Sequence, residues 1–309
     1  MYKSIPQHFL NPALYHLHKE GAGESNFGMD GTQELIDGGF GLYSSVNTKK
    51  NIGPIKSEYF RIALVRSGTA TYTIGLEVFQ AGRNTIVFGS PGQIFSLQNT
   101  SDDFFVYYML FSESFIQDAL LLKDYRTQYP FLTYAGVQCF LLEEDHGNEV
   151  ESIIYKMNEE VNGRKPGMSH AVKLYIQLLL LQASRNYATQ LQDRQSANDP
   201  ATNTFTRFLK LVSEHFLTCK KVADYAAMLF VSADHLNRII KACSDKTASA
   251  FIDEMVVMEA KAHLMHSTLS VAEIGYALGF SDPSHFNKFF RKQTGGTPAQ
   301  FRQKSESDH

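Results

Sequence analysis

Cysteine is scarce in this chain: Cys139, Cys219 and Cys243 are the only three among 309 residues, an odd number with no Cys-x-x-Cys spacing. That argues against a disulfide framework, gives no sign of a zinc site, and makes a reducing cytoplasm the expected setting. Long apolar runs are missing too. The longest cluster, LYIQLLLLQ at 174–182, falls far short of a spanning helix, and the opening MYKSIPQHFL lacks the apolar stretch of a secretory signal. A soluble, cytoplasmic protein with no membrane partner is expected. An excess of one charge is missing as well. The 29 Lys and Arg against 32 Asp and Glu leave a net charge of −3, which taken whole speaks against a nucleic-acid partner.

Splitting the chain changes that reading. The stretch DRQSANDPA at 193–201 is polar and small, the composition of an exposed linker. Residues 202–309 carry 13 Lys and Arg against 11 Asp and Glu, and the upstream part carries 16 against 21, so the two parts have opposite signs. The expected organisation is a sensing domain at 1–147, a helical pair at 148–192, a linker at 193–201 and a further domain at 202–309.

Within the first part, YFRIALV (59–65), TYTI (71–74), NTIVF (84–88), QIFSL (93–97) and FFVYYMLF (104–111) are rich in β-branched and aromatic residues and are separated by turn chemistry. That rhythm predicts an antiparallel sandwich or small barrel, whose mouth is a common small-molecule site. No histidine occurs between Lys19 and Asp145. Imidazole is the usual ligand for iron, zinc or manganese in such barrels, so a metal site is not expected, no cofactor is implied, and an organic occupant is favoured. Phe88, Phe95, Tyr72 and Tyr107 suit either a core or a pocket wall; Tyr72 and Tyr107 are the candidate effector contacts. From 148 onward the spacing turns helical. Val150, Ile153, Ile154, Met157 and Val161 form one stripe, and a second helix near 169–190 carries Leu174, Ile176, Leu178, Leu179, Leu180 and Leu181 on a surface too broad for one partner, which makes a homodimer a candidate assembly.

The most informative feature is a duplication. VADYAAMLFVSADHLNRIIK (222–241) superposes on VAEIGYALGFSDPSHFNKFFR (271–291) at an offset of 49, then 50 after one insertion, so that His235, Asn237, Arg238 and Lys241 meet His285, Asn287, Lys288 and Arg291. Each copy reads as helix, turn, helix. Ser232 is the expected N-cap of one second helix; Asp282 caps the other, with Pro283 at its first position and Gly279 in the preceding turn. Leu236, Ile239 and Ile240 in one copy, and Phe286, Phe289 and Phe290 in the other, must face inward, which turns the polar residues out. Such a layout suits a recognition helix, with base readers near its start and cations for phosphates further along. Between the copies, 250–267 is helical, and 18 residues span about 27 Å, close to one turn of DNA. His263 and His266 on this connector are expected to be packed or solvated rather than metal ligands, since no further ligand is indicated nearby.

Two resemblances add to this reading. The strand ending at Ser67-Gly68, the turn Ala81-Gly82 and the element Ser90-Pro91-Gly92-Gln93 resemble, over about 25–112, the cupin-like sensor domain of AraC-type regulators. LSVAEIGYALGFSDPSHFNKFFRKQTGGTPAQFR (269–302) is similar nearly throughout to the signature of the AraC/XylS family of bacterial transcription regulators, and the wider likeness covers about 204–302. The implied fold is α+β and multidomain: a cupin-like β-barrel with a helical pair, then an all-α domain of two helix-turn-helix motifs joined by a long helix. The resemblance implies double-stranded promoter DNA and a small organic effector as partners, with RNA polymerase a further candidate. It places base contacts at Asp234, Asn237 and Arg238 in the first copy and at Ser284, His285 and Lys288 in the second, while Lys241, Arg291 and Lys292 suit phosphates. The chain departs from the family at Asp245, where glycine is usual, and at Val256, where the connector commonly has arginine. Asp245 is expected to enter the left-handed region at some cost. The competing reading is a metal-free cupin-type enzyme with an accessory helical domain; no nucleophile with a nearby base is legible to support it.

Overall fold

The computed structural model describes residues 27–29, 36, 39–117, 128–133, 137–195 and 200–307. The opening segment through 26, part of the expected sensing domain, lies outside them. Among the described residues, nine strands form two antiparallel sheets. They are β1 (Phe40–Ser44), β2 (Ile52–Lys56), β3 (Tyr59–Ser67), β4 (Ala70–Ile74), β5 (Glu77–Ala81), β6 (Thr85–Gly89), β7 (Ile94–Gln98), β8 (Phe105–Ser112) and β9 (Cys139–Leu141). One sheet has the order β1-β8-β3-β6-β9 and the other β2-β7-β4-β5. All five strands expected from the sequence are present, and β1, β2, β5 and β9 join them.

The period-2 alternation of strands sorts the side chains between two cores. On β3, Ala63 and Val65 point into the space between the sheets with Tyr72, Ile74, Phe95, Leu97 and Val106. Phe60, Ile62 and Leu64 point the other way, into a core shared with the helices. A short helix, α1 (Glu113–Gln117), precedes the pair α2 (Glu144–Gly163) and α3 (Met168–Gln195). Val150, Ile153, Ile154, Met157 and Val161 of α2 bury the stripe expected of them, and Val172, Ile176, Leu179, Leu180 and Ala183 of α3 join them against the five-stranded sheet. Leu174, Leu178 and Leu181 remain exposed on the opposite side of α3. Arg66 fastens α2 to the barrel through Glu151 at 2.8 Å and by donating to Asn148 Oδ1 at 2.9 Å.

The carboxy-terminal part is all helical: α4 (Pro200–His215), α5 (Val222–Met228), α6 (Ala233–Cys243), α7 (Ala248–His266), α8 (Val271–Ala277), α9 (Pro283–Thr294) and α10 (Pro298–Ser307). Since α3 runs to Gln195 and α4 starts at Pro200, the expected linker at 193–201 is helical at both ends; 196–199 lie outside the described residues. Two compact cores flank α7. Phe208, Val212, Tyr225, Leu236, Ile240 and Phe251 fill the first, and Ile274, Leu278, Phe286 and Phe290 fill the second against Ala260 and Leu264.

Candidate functional site

The two helix-turn-helix units are built as the local chemistry requires. Ser232 Oγ accepts from His235 N at 3.2 Å, and Asp282 Oδ1 accepts from Ser284 N at 2.7 Å, so α6 and α9 both start on a side-chain cap. Leu236 and Ile240, like Phe286 and Phe290, are wholly buried. That burial turns Asp234, His235 and Arg238 to solvent on α6, and Ser284, His285 and Lys288 on α9. Lys241, Arg291 and Lys292 are exposed toward the helix ends. Asn237 is half-buried, and its Oδ1 accepts from Ala248 N at 3.3 Å, which ties α6 to the start of α7. A bidentate grip on adenine needs both amide atoms, so in this rotamer Asn237 has only its Nδ2 to offer.

Two expectations need correction. Asp245 does not enter the left-handed region: α6 ends at Ser244 in extended backbone, φ −153°, and the left-handed residue of this copy is Phe230, φ +58°, in the turn between α5 and α6. Tyr107 does not face the barrel interior. It lies on the helix side of β8, where its hydroxyl meets that of Tyr155 on α2 at 2.7 Å and its ring packs on Phe27. The alternation of β8 gives the interior to its neighbour Tyr108 instead. His263 is packed, as expected. It is buried, and desolvation followed by the nearby Lys56 holds its imidazole down to about 4.

Between the two sheets lies a cavity of about 40 Å³, lined chiefly by apolar side chains together with Thr48, Arg61, Tyr72 and Tyr108. Arg61 is the residue that sequence reasoning missed. It sits in phase with Ala63 and Val65 on β3, only 9% exposed, with its guanidinium 3.7 Å from the centroid of the Phe95 ring. Burial lowers its pKa to about 10, and the nearby Tyr72 and Tyr108 oppose that shift. Burial likewise pushes the Tyr72 hydroxyl up and takes the Cys139 thiol up to about 12. A lone cation on the inward phase of an apolar strand was the available signal.

The cavity and the helical domain share β2. Ile52 and Ile55 line the cavity, and the next residue, Lys56, places Nζ 2.8 Å from Glu259 Oε1 on α7. The Glu259 side chain is 2% exposed. Ile94 of β7 belongs to the same apolar cluster as Phe208, Leu236 and Phe251.

Similarity to known proteins follows this division. A family model described as an AraC-like ligand binding domain matches 47–162, and one described as a helix-turn-helix domain matches 225–304. The HTH-type transcriptional activator RhaS of Klebsiella pneumoniae is 27% identical over 262 residues, covering 80% of this chain and 86% of its own length. The activator RhaR of Salmonella heidelberg is 28% identical over 159 residues, covering 50% of this chain and 54% of its own length. The solved structure of ToxT from Vibrio cholerae aligns with 85% of this chain and 98% of its own, at 13% identity and a TM-score of 0.40. No described helix is long and apolar enough to cross a membrane. The chain thus pairs an AraC-like ligand-binding domain with a helix-turn-helix domain and is similar over most of its length to an HTH-type transcriptional activator.

Proposed function

We propose that the exposed faces of α6 and α9 read two successive segments of promoter DNA, and that occupancy of the barrel alters their disposition through β2. The observation that carries this reading is the contiguity of the ligand cavity, Lys56 and Glu259: adjacent residues of one strand touch the cavity and the helix that joins the two reading units. The 19 residues of α7 span about 28 Å, which suits two major-groove contacts on one side of the duplex. Arg238 and Lys288 are the principal base readers. Asp234, Ser284 and His285 supplement them, Asn237 acts mainly as a brace, and Lys241, Arg291 and Lys292 meet phosphates. The acid at Asp234 suits a cytosine amino group.

The chain works by binding, without a catalytic step, in the cytoplasm. The relatives named as activators support activation, which requires contact with RNA polymerase. The exposed stripe of Leu174, Leu178 and Leu181 is the proposed homodimer face, and Leu178→Glu is expected to convert a dimer to a monomer in sedimentation. Gel-shift titration on the chain's own promoter region tests the reading units. Arg238→Ala and Lys288→Ala should each cost about 1–3 kcal/mol and relax specificity at one position. Unchanged affinity for both removes the assignment.

A further inference from the structure

The barrel interior holds a cation that no carboxylate among the described residues balances. Among the described residues, no carboxylate lies within ion-pair distance of Arg61 and its guanidinium makes no hydrogen bond; it lies instead against the face of Phe95. The Tyr72 hydroxyl, in the same wall, also has no hydrogen bond from the described residues, and Thr48 Oγ1 is buried without one. Guanidinium keeps its proton under all ordinary conditions, so it cannot escape the cost of burial by neutralisation. A buried charge of this kind is tolerated where an opposite charge completes it. Three polar groups with unused hydrogen-bonding capacity line one small cavity whose remaining walls include Ile52, Leu97 and Val106.

We infer that the effector is a small organic monocarboxylate, its two oxygens held by the fork of Arg61 and the hydroxyls of Tyr72 and Thr48, its short alkyl chain against Ile52, Leu97 and Val106. This rests on the ligand-binding reading of the barrel and names the chemical class that the barrel selects. Guanidinium and carboxylate match in plane and spacing, giving two parallel charge-assisted hydrogen bonds that a neutral ligand cannot supply. The space sets the size. At roughly 10–15 Å³ for each water-sized sphere, the cavity of about 40 Å³ accommodates a ligand of a few heavy atoms. Phe95 presents its ring to the guanidinium, 3.7 Å from centroid to Cζ, and helps hold the cation in the cavity wall.

The test is calorimetric titration and thermal shift of the full chain in Tris chloride. Acetate, propionate and butyrate are compared with acetamide, propionamide, butyramide and a neutral pentose, for the unsubstituted protein and for Arg61→Met, Arg61→Lys and Tyr72→Phe. The carboxylates are expected to bind and raise the melting temperature, and the neutral compounds to do neither. Arg61→Met is expected to raise the melting temperature of the ligand-free protein while weakening carboxylate binding at least tenfold. Arg61→Lys, which keeps the charge without the fork, should fall between, and Tyr72→Phe should weaken binding severalfold with the fold intact. Equal binding of carboxylate and amide, or of a carboxylate to the original protein and to Arg61→Met, overturns the anion class. Tight binding of the pentose alone overturns it too, while leaving the barrel as a ligand site. Absence of binding by every compound overturns both.

Discussion

The two helix-turn-helix units descend from one pattern yet are held together differently. In the second, local devices are complete. Ser270 accepts from Glu273 N at 3.2 Å while Glu273 Oε2 accepts from Ser270 N at 2.8 Å; Gly279 takes φ +82° in the turn, and Gly295 closes α9 at φ +82°. In the first, Lys221 stands at the corresponding start. A lysine side chain has no acceptor to offer, so only the half-box from Asp224 Oδ2 to Lys221 N remains, at 3.3 Å. Phe230 replaces glycine in the turn, and α6 ends without a left-handed residue. The first unit compensates by tertiary packing. It draws Phe208 and Val212 from α4 and touches Ile94 of the barrel, whereas the second closes its smaller core with Phe301 and with Arg302, which donates to the carbonyls of Leu264 and Leu269. A unit stabilised by its neighbours is one that its neighbours can influence; a locally capped unit is better suited to constant reading.

The largest test of this contrast removes an aromatic from the smaller core. Phe286→Ala is expected to cost about 3–5 kcal/mol, and in hydrogen exchange α8 and α9 should lose protection while α5 and α6 keep theirs. Equal loss in both units would make the domain one cooperative body and erase the distinction. A smaller effect is expected at the contact with the barrel. Glu259→Gln leaves Lys56 without its carboxylate and should cost about 1–3 kcal/mol in denaturant unfolding, with protection falling in β2 and α7 before α9. The same contact carries a pH dependence. His263 is held down to about 4 in the fold, while an unfolded histidine titrates near 6.5. Between those values the unfolded chain binds the extra proton, so this contribution is full above about 6.5 and is lost as the pH falls toward 4. His263→Gln should flatten that part of the stability profile measured by urea titration.

How much of this was legible follows from what each pattern depends on. The recognition helices were readable because capping and 3.6-residue periodicity are local: Ser232, Asp282, Pro283 and Gly279 do in the fold what their chemistry predicts. The long strands β3 and β8 were readable from composition. β2 was not, since IGPIK carries Gly53 and Pro54, the register shifts between Ile52 and Ile55, and only pairing with β7 makes it a strand. β5 exposes alternate residues and exists through its pairing with β4. The choice between Tyr107 and Tyr108 turned on which face of β8 is inward, a matter of register that composition does not contain. The pair Lys56–Glu259 depends on long-range placement, 203 residues apart, and no local pattern announces it.

The turns allow the comparison to be sharpened from both sides. A Cβ added at Gly279 would stand 3.2 Å from the Leu217 carbonyl oxygen in left-handed backbone, so Gly279→Ala should destabilise by about 1–2 kcal/mol. The opposite change in the first unit has the opposite sign and is expected to be the smallest effect. Phe230 is 91% exposed at φ +58°, so its ring contributes little burial to offset the cost of holding a side chain in that region. Glycine relieves the strain and adds freedom to the unfolded chain, two terms that partly cancel and leave a gain of about 0.5–1 kcal/mol for Phe230→Gly. A rise in melting temperature with unchanged DNA affinity would mark Phe230 as a tolerated departure from the turn chemistry that Gly279 satisfies. A rise accompanied by loss of transcription would show that the exposed ring is kept, at a cost in stability, for a contact made on the promoter.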